Sequence, residues 1–168
     1  MNNLTFKNEP IDLEGTFPKV GDKAPDFSLI DNTLTPITRE SLTGTRVVLN
    51  IFPSVDTPVC AIQLKTFNQK VANLKGVTLL FSSLDLPFAY SRFCAAEGIE
   101  NVITASDYQQ LSLAENYGVK MKNGPLAGLY ARAVFILDEA HQIIYAELVS
   151  EVTDEPNYEA ALAVLAQH

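Results

Sequence analysis

The chain carries two cysteines, Cys60 and Cys94, and the first lies in the stretch PSVDTPVCAIQLKTFNQKVANLKG. Thr57 followed by Pro58 signals a helix start, since threonine is a good N-cap and proline is tolerated at the first helical position. Leu64, Phe67, Val71 and Leu74 recur at spacings of three and four, the apolar stripe of an amphipathic helix, and Gly76 closes the run. Cys60 is then the third residue of a helix. Unpaired backbone N–H groups and the helix dipole favour an anion there. A free cysteine with a pKa of about 8.5 is only a few per cent thiolate at pH 7, and a fall to about 6 would leave roughly nine-tenths ionised. The thiolate is the nucleophile, so position predisposes this sulfur to react. A lone cysteine is as often a small buried hydrophobe, and position alone leaves both readings open.

Other chemistries find less support. The absence of a Cys-x-x-Cys pair counts against thioredoxin-type exchange at adjacent residues. His141 falls in an expected turn and His168 is the last residue, so neither suggests a Cys–His nucleophile pair. Cysteine and histidine lack the paired spacing of zinc sites, and no glycine-rich loop opens a helix for phosphate. No nucleotide, metal or haem cofactor is implied. Asp56 and Asp85 read as cap or turn residues. The net charge of -8, with no basic run, disfavours nucleic acid and anionic membrane as partners. The longest apolar runs, such as residues 77–81 and 133–137, are strand-sized and too short to span a bilayer. The N-terminal stretch MNNLTFKNEPIDLEG has neither a positive n-region nor an apolar h-region, so a cytoplasmic location with reduced thiols is expected.

The elements that must position these residues alternate along the chain. Residues 4–15 (LTFKNEPIDLEG) read as a small hairpin around Asn8-Glu9-Pro10, and residues 27–30 as a short strand. RVVLNIF (46–52) is nearly continuously apolar, as in a strand buried on both faces, and stops at Pro53. The Cys60 helix follows, then a strand at 77–82, a helix at 87–97 closed by Gly98, a strand at 101–106 and a helix at 107–117 closed by Gly118. Residues 129–137 and 142–149 flank turn residues 138–141 as a second hairpin, and a last helix spans 157–166. Alternating β and α elements with a late hairpin predict a layered α/β domain with a mixed, thioredoxin-like sheet. No linker or repeat divides residues 1–168, so one domain is expected; with 47% hydrophobic and 19% charged residues the composition is globular.

The motif around Cys60 adds a resemblance. Pro53 to Cys60 fits P-x-x-x-[ST]-x-x-C, which resembles the active-site loop of the peroxiredoxins. Upstream, PKVGDKAPDFSLID is similar to that family's N-terminal stretch, and Arg132 in YARAVFILDE to its active-site arginine. NIFPSVDTPVCAIQLKTFN, DLPFAYSRFC, NGPLAGLYARAVFILDE and EPNYEAALAVL are most similar to the bacterial thiol peroxidases, atypical two-cysteine members of the family, over essentially the whole chain.

The resemblance implies roles residue by residue. Cys60 attacks the terminal peroxide oxygen and becomes a sulfenic acid. Thr57 sets its hydroxyl beside the sulfur and the peroxide. Arg132 holds the thiolate and stabilises charge on the departing oxygen, and Pro53 screens the sulfur and limits over-oxidation. Cys94 resolves the sulfenic acid as an intramolecular disulfide. A disulfide needs Cα atoms within about 7 Å, which two fully wound helices seldom provide, so both cysteine segments are expected to rearrange on oxidation. The resemblance further implies hydrogen peroxide and organic hydroperoxides as substrates, thioredoxin as reductant, antioxidant defence and a homodimer. Pro87, Phe88 and Tyr90 could supply part of the dimer surface or belong to the core. Exchange with protein disulfides, or a peroxide-sensing relay, would use the same activated thiol.

Overall fold

The computed structural model describes residues 3–71 and 73–167; His168 lies outside them. Its largest element is a seven-stranded sheet made of β4 (Ser28–Asp31), β5 (Pro36–Thr38), β6 (Arg46–Ile51), β7 (Val77–Ser83), β8 (Ile103–Ser106), β10 (Ala133–Leu137) and β11 (Ile143–Leu148). Short pairs lie outside it: β1 (Thr5–Phe6) with β2 (Glu9–Pro10), and β3 (Leu13–Glu14) with β9 (Lys120–Met121). The helices are α1 (Pro58–Val71), α2 (Pro87–Glu97), α3 (Ser112–Tyr117) and α4 (Tyr158–Gln167).

Strand order is β11-β10-β6-β7-β8-β4-β5. β6, β7 and β8 run parallel, as their helical crossovers require, while β10 and β4 are antiparallel to their neighbours. β6 is an interior strand, buried on both faces and apolar there apart from Asn50. Val47, Leu49 and Ile51 enter a core with Phe27, Tyr117 and Phe135, and Val48 enters one with Leu64, Phe67, Phe81 and Leu165. Alternation along the strand accounts for the two cores. The second core packs α1, α2 and α4 against one face of the sheet, and both cysteines belong to it.

Several local expectations need correction. The helix expected over 107–117 begins only at Ser112. The Asp107 carboxylate accepts from the N–H groups of Ser112 and Leu113, so it starts the helix five residues downstream of itself, and residues 107–111 form the approach. Leu74 lies beyond α1 and is exposed, so the buried stripe ends at Val71. The N-terminal hairpin forms, with Lys7 and Asn8 at its turn in the left-handed region. β5 and the β3–β9 pair carry too little local pattern to be expected from sequence. Among the described residues no helix is long and apolar enough to cross a membrane.

Candidate active site

β6 delivers the chain to the site. It ends at Ile51, after which Phe52 and Pro53 are buried and residues 54–57 turn the chain into α1. Two acceptors shape that turn. The Asp85 carboxylate, from the loop between β7 and α2, takes the Ser54 hydroxyl at 2.7 Å and the Val55 N–H at 2.9 Å. The Ser54 carbonyl then takes the Thr57 N–H at 3.2 Å and the Thr57 hydroxyl at 2.9 Å. Thr57 is therefore the N-cap by position, its carbonyl accepting from Ala61 N–H, but its hydroxyl donates backward across the turn. The expected side-chain cap onto the helix is replaced by this bond, because Asp85 draws residues 54 and 55 tightly enough to bring the Ser54 carbonyl within reach. Pro58 opens the helix and Cys60 is its third residue, as the sequence predicted.

Arg132 reaches the same place from the neighbouring strand. Ala133 pairs with Ile51, which puts Arg132 level with Phe52 at the carboxyl end of β6. The side chain is 1% exposed and every nitrogen has a partner. Nε and Nη2 donate to the Val152 carbonyl at 3.2 and 2.9 Å, and Nη1 donates to Gln63 Oε1 at 2.9 Å and to Cys60 Sγ at 3.1 Å. Gln63, fully buried on α1, in turn donates from Nε2 to Asn50 Oδ1 on β6 at 3.0 Å. The guanidinium is thus fixed as a fork, with one prong on the sulfur. No carboxylate lies within ion-pairing distance of it among the described residues, so its charge faces the thiol.

A cavity of about 300 Å³ opens over these groups, lined by Phe6, Pro53, Thr57, Leu126, Arg132 and Val152 among others. Most of its wall is apolar. Cys60 itself is 1% exposed and is not part of the cavity wall, but its Sγ accepts a hydrogen bond from Arg132, which is. The N-terminal hairpin supplies Phe6 and Lys7 to this cavity because residues 150–153 hold it down. Thr5 N–H donates to the Ser150 carbonyl, Val152 N–H donates to the Thr5 carbonyl, and the Glu151 carboxylate accepts from Asn8 N–H and the Thr5 hydroxyl. Burial pushes the Glu151 carboxyl up, but donors from Asn8, Thr153 and Thr5 outweigh it and bring it down to about 2.

Cys94 sits on α2, half-buried against the α1-side core, and both thiols are free. Burial pushes its thiol up from the ordinary range. Of the residues singled out in sequence, Pro53, Thr57, Cys60 and Arg132 come together, while Cys94 stands on the next helix. His141 lies past the far end of β10, its Nε2 paired with the Thr43 hydroxyl, so no Cys–His pair forms. Pro87 and Tyr90 are core residues and only Phe88 of that trio is exposed, at 67%. Sequence reasoning missed Gln63 and Asn50, whereas Asp85, read as a cap or turn residue, does hold a turn, the one formed by residues 54–57. Asn50 inside an otherwise apolar strand, and Gln63 on the same helical face as Cys60, Leu64 and Phe67, were the available signals.

The geometry agrees with what the chain resembles. A family model described as Redoxin matches residues 19–162. The thiol peroxidase of Leptospira interrogans serogroup Icterohaemorrhagiae serovar copenhageni (strain Fiocruz L1-130) is 47% identical over 165 residues, covering 97% of this chain and 96% of its own. The crystal structure of a peroxiredoxin-like protein from Aquifex aeolicus superposes with a TM-score of 0.93 at 38% identity, covering 98% of this chain and 95% of that one. The thiol peroxidase from Chromobacterium violaceum shares the fold, with a TM-score of 0.90 at 23% identity over 98% of this chain and 95% of its own. The chain belongs to the Redoxin family and, within it, to the thiol peroxidases of the peroxiredoxin kind.

Proposed function

We propose that this peroxidase reduces hydrogen peroxide and organic hydroperoxides through Cys60, resolves the product with Cys94, and is recycled by thioredoxin. The observation that carries the reading is the Arg132 Nη1–Cys60 Sγ hydrogen bond of 3.1 Å, made behind a cavity walled by Pro53 and Thr57. A fixed guanidinium favours negative charge on that sulfur and presents a second donor surface to the cavity, where charge develops on the leaving oxygen.

In the first step Cys60 Sγ attacks the terminal peroxide oxygen. The S–O bond forms as the O–O bond breaks, the sulfur is oxidised by two electrons, and the departing alkoxide or hydroxide takes a proton. Thr57 Oγ1 gives its hydrogen to Ser54, which leaves its lone pairs free to accept from the incoming hydroperoxide O–H. Pro53, buried and lining the cavity, would limit the water that reaches the sulfur. In the second step Cys94 sulfur attacks Cys60 Sγ, the S–S bond replaces the S–O bond, and the oxygen leaves as water. A dithiol then reduces the disulfide and is itself oxidised to one.

The apolar wall of Phe6, Leu126 and Val152 supports organic hydroperoxides as substrates. Exposed Leu86 and Phe88, at the start of the Cys94 helix, support a homodimer meeting near the site. A cycle that returns both thiols to the reduced state fits a reducing compartment such as the cytoplasm, in a role of antioxidant defence. The test is NADPH consumption with thioredoxin and its reductase, offering hydrogen peroxide, a bulky alkyl hydroperoxide or a disulfide-bonded protein. Sustained turnover on the peroxides is expected. Turnover on the protein disulfide alone, or peroxide consumption that stops after one equivalent, would overturn the proposal.

A further inference from the structure

Peroxide reduction and disulfide formation ask opposite things of the turn before Cys60. The first needs it wound, so that Arg132 meets the sulfur; the second needs it loosened, so that the sulfur can reach Cys94. Something must set the balance between the two, and the structure holds a chain of hydrogen bonds placed to do so. It starts at the Tyr90 hydroxyl on α2, one helical turn before Cys94, and runs through the Ser83 hydroxyl at the end of β7 to the Asp85 carboxylate. From there it reaches the Ser54 hydroxyl at 2.7 Å and the Val55 N–H at 2.9 Å, in the turn that opens α1.

Donor counting fixes the direction of each bond. Ser83 Oγ has one hydrogen, and an ionised carboxylate can only accept, so that hydrogen goes to Asp85. The Ser83 oxygen is then left to accept from the Tyr90 hydroxyl and from Asp85 N–H. Burial holds the Tyr90 phenol well above its ordinary range, so it remains a donor, and its ring packs edge-on against Phe52. Every hydrogen along the chain has an acceptor, and Asp85 is its only negative group. Two further ion pairs bridge the same segments, Arg92 to Asp56 at 3.7 Å and Lys65 to Glu97 at 2.5 Å, but their exposed side chains make them weak ties.

We propose that Asp85 is a positioning residue that ties the turn before Cys60 to the Cys94 helix and thereby sets how fast Cys60 sulfenic acid passes to Cys94. The inference rests on the two-cysteine cycle above. Unwinding the first turn of α1 toward Cys94 pulls Ser54 and Val55 off Asp85, so the carboxylate slows resolution while it holds the peroxide-reactive geometry. A sulfenic acid that waits longer meets more peroxide, and a second peroxide then adds an oxygen to give sulfinic acid, its remainder leaving as water from hydrogen peroxide or as an alcohol from an organic hydroperoxide. The tie therefore sets the ratio of sulfinic acid to disulfide.

Intact-mass spectrometry of reduced protein, treated with graded hydrogen peroxide while thioredoxin and its reductase recycle it, reads that ratio. Asp85→Ala should form the Cys60–Cys94 disulfide at least about tenfold faster, the factor expected from losing one charge-assisted hydrogen bond, and lower the sulfinic fraction per turnover to match. Its first reaction with peroxide should slow. Tyr90→Phe keeps the ring on Phe52 and removes only the α2 end of the chain; it should move the ratio the same way by a smaller factor. A purely structural role would lower the melting temperature and leave the ratio unchanged. Variants with the wild-type ratio, or with more sulfinic acid, overturn the proposal while a cycling wild type keeps the peroxidase reading. A wild type that makes neither product overturns both.

Discussion

Replacing Arg132 by methionine isolates the contribution of the guanidinium while keeping most of the side chain's apolar volume. Arg132 donates from Nη1 to Cys60 Sγ at 3.1 Å and lines the cavity in which, on the proposed mechanism, the leaving oxygen gathers charge. Loss of one preorganised donor at such a site costs about 10²–10³ in rate, or about 2.7–4 kcal/mol. The second-order constant for Cys60 oxidation should therefore fall by at least about a hundredfold. Stability should move little, because two effects oppose each other. Gln63 Oε1 and the Val152 carbonyl lose their donor, at about 1–3 kcal/mol each. A buried charge with no carboxylate partner is removed, which relieves a desolvation penalty of about several kcal/mol. Arg132→Lys keeps the charge but not the fork and should fall between wild type and Arg132→Met. The assay is stopped-flow oxidation at fixed pH with hydrogen peroxide and a bulky hydroperoxide, with thermal melts alongside. A folded Arg132→Met within about threefold of wild type would refute the assigned role of the guanidinium, given the factor expected above.

Three further outcomes are expected. Gln63→Leu removes the acceptor that aims Nη1 and leaves Asn50 Oδ1 without its donor, so peroxide oxidation should slow about tenfold and stability fall by about 1–3 kcal/mol, read by the same two assays. Glu151→Gln weakens the hold on the N-terminal hairpin; KM for the bulky hydroperoxide should rise while the constant for hydrogen peroxide changes little. Because folding lowers the Glu151 carboxyl to about 2, its hold on the hairpin is complete above the ordinary carboxylate range near pH 4.5 and is lost as pH falls through about 2. Burial raises the Cys94 thiol, so less of it is thiolate at neutral pH. Disulfide formation in rapid-quench experiments should then accelerate steadily from pH 7 to 9, and a rate that has already levelled off at pH 7 would contradict this.

What the sequence disclosed and what it withheld have physical reasons. α2 is legible in full from Pro87 at its start and Gly98 at its end, and Gly98 adopts the left-handed conformation expected of a helix stop. β6 is legible because burial on both faces leaves an almost unbroken apolar run. α3 is misread because residues 107–111 look helical, and only the Asp107 carboxylate, capping at a distance, delays the start. Pro53, Thr57, Cys60 and Arg132 were named from a motif, and the fold brings them to one end of β6. Gln63 is not legible because a polar residue on an amphipathic helix ordinarily faces solvent, and Asp85 reads as a cap or turn residue with nothing to show which turn it holds. Their importance lies in partners on other elements, Asn50 and Arg132 for one and Ser54 and Val55 for the other, and no local pattern encodes those pairings.

In the proposed cycle Cys60 is oxidised by peroxide and Cys94 converts the product to a disulfide. Its most direct test is a single-turnover experiment on reduced wild type, Cys60→Ser and Cys94→Ser, each given one equivalent of hydrogen peroxide and followed by stopped flow and intact mass. The expected result is an intramolecular disulfide in wild type, no peroxide consumed by Cys60→Ser, and in Cys94→Ser one sulfenic acid that thioredoxin does not recycle. Peroxide consumption by Cys60→Ser at the wild-type rate would contradict it.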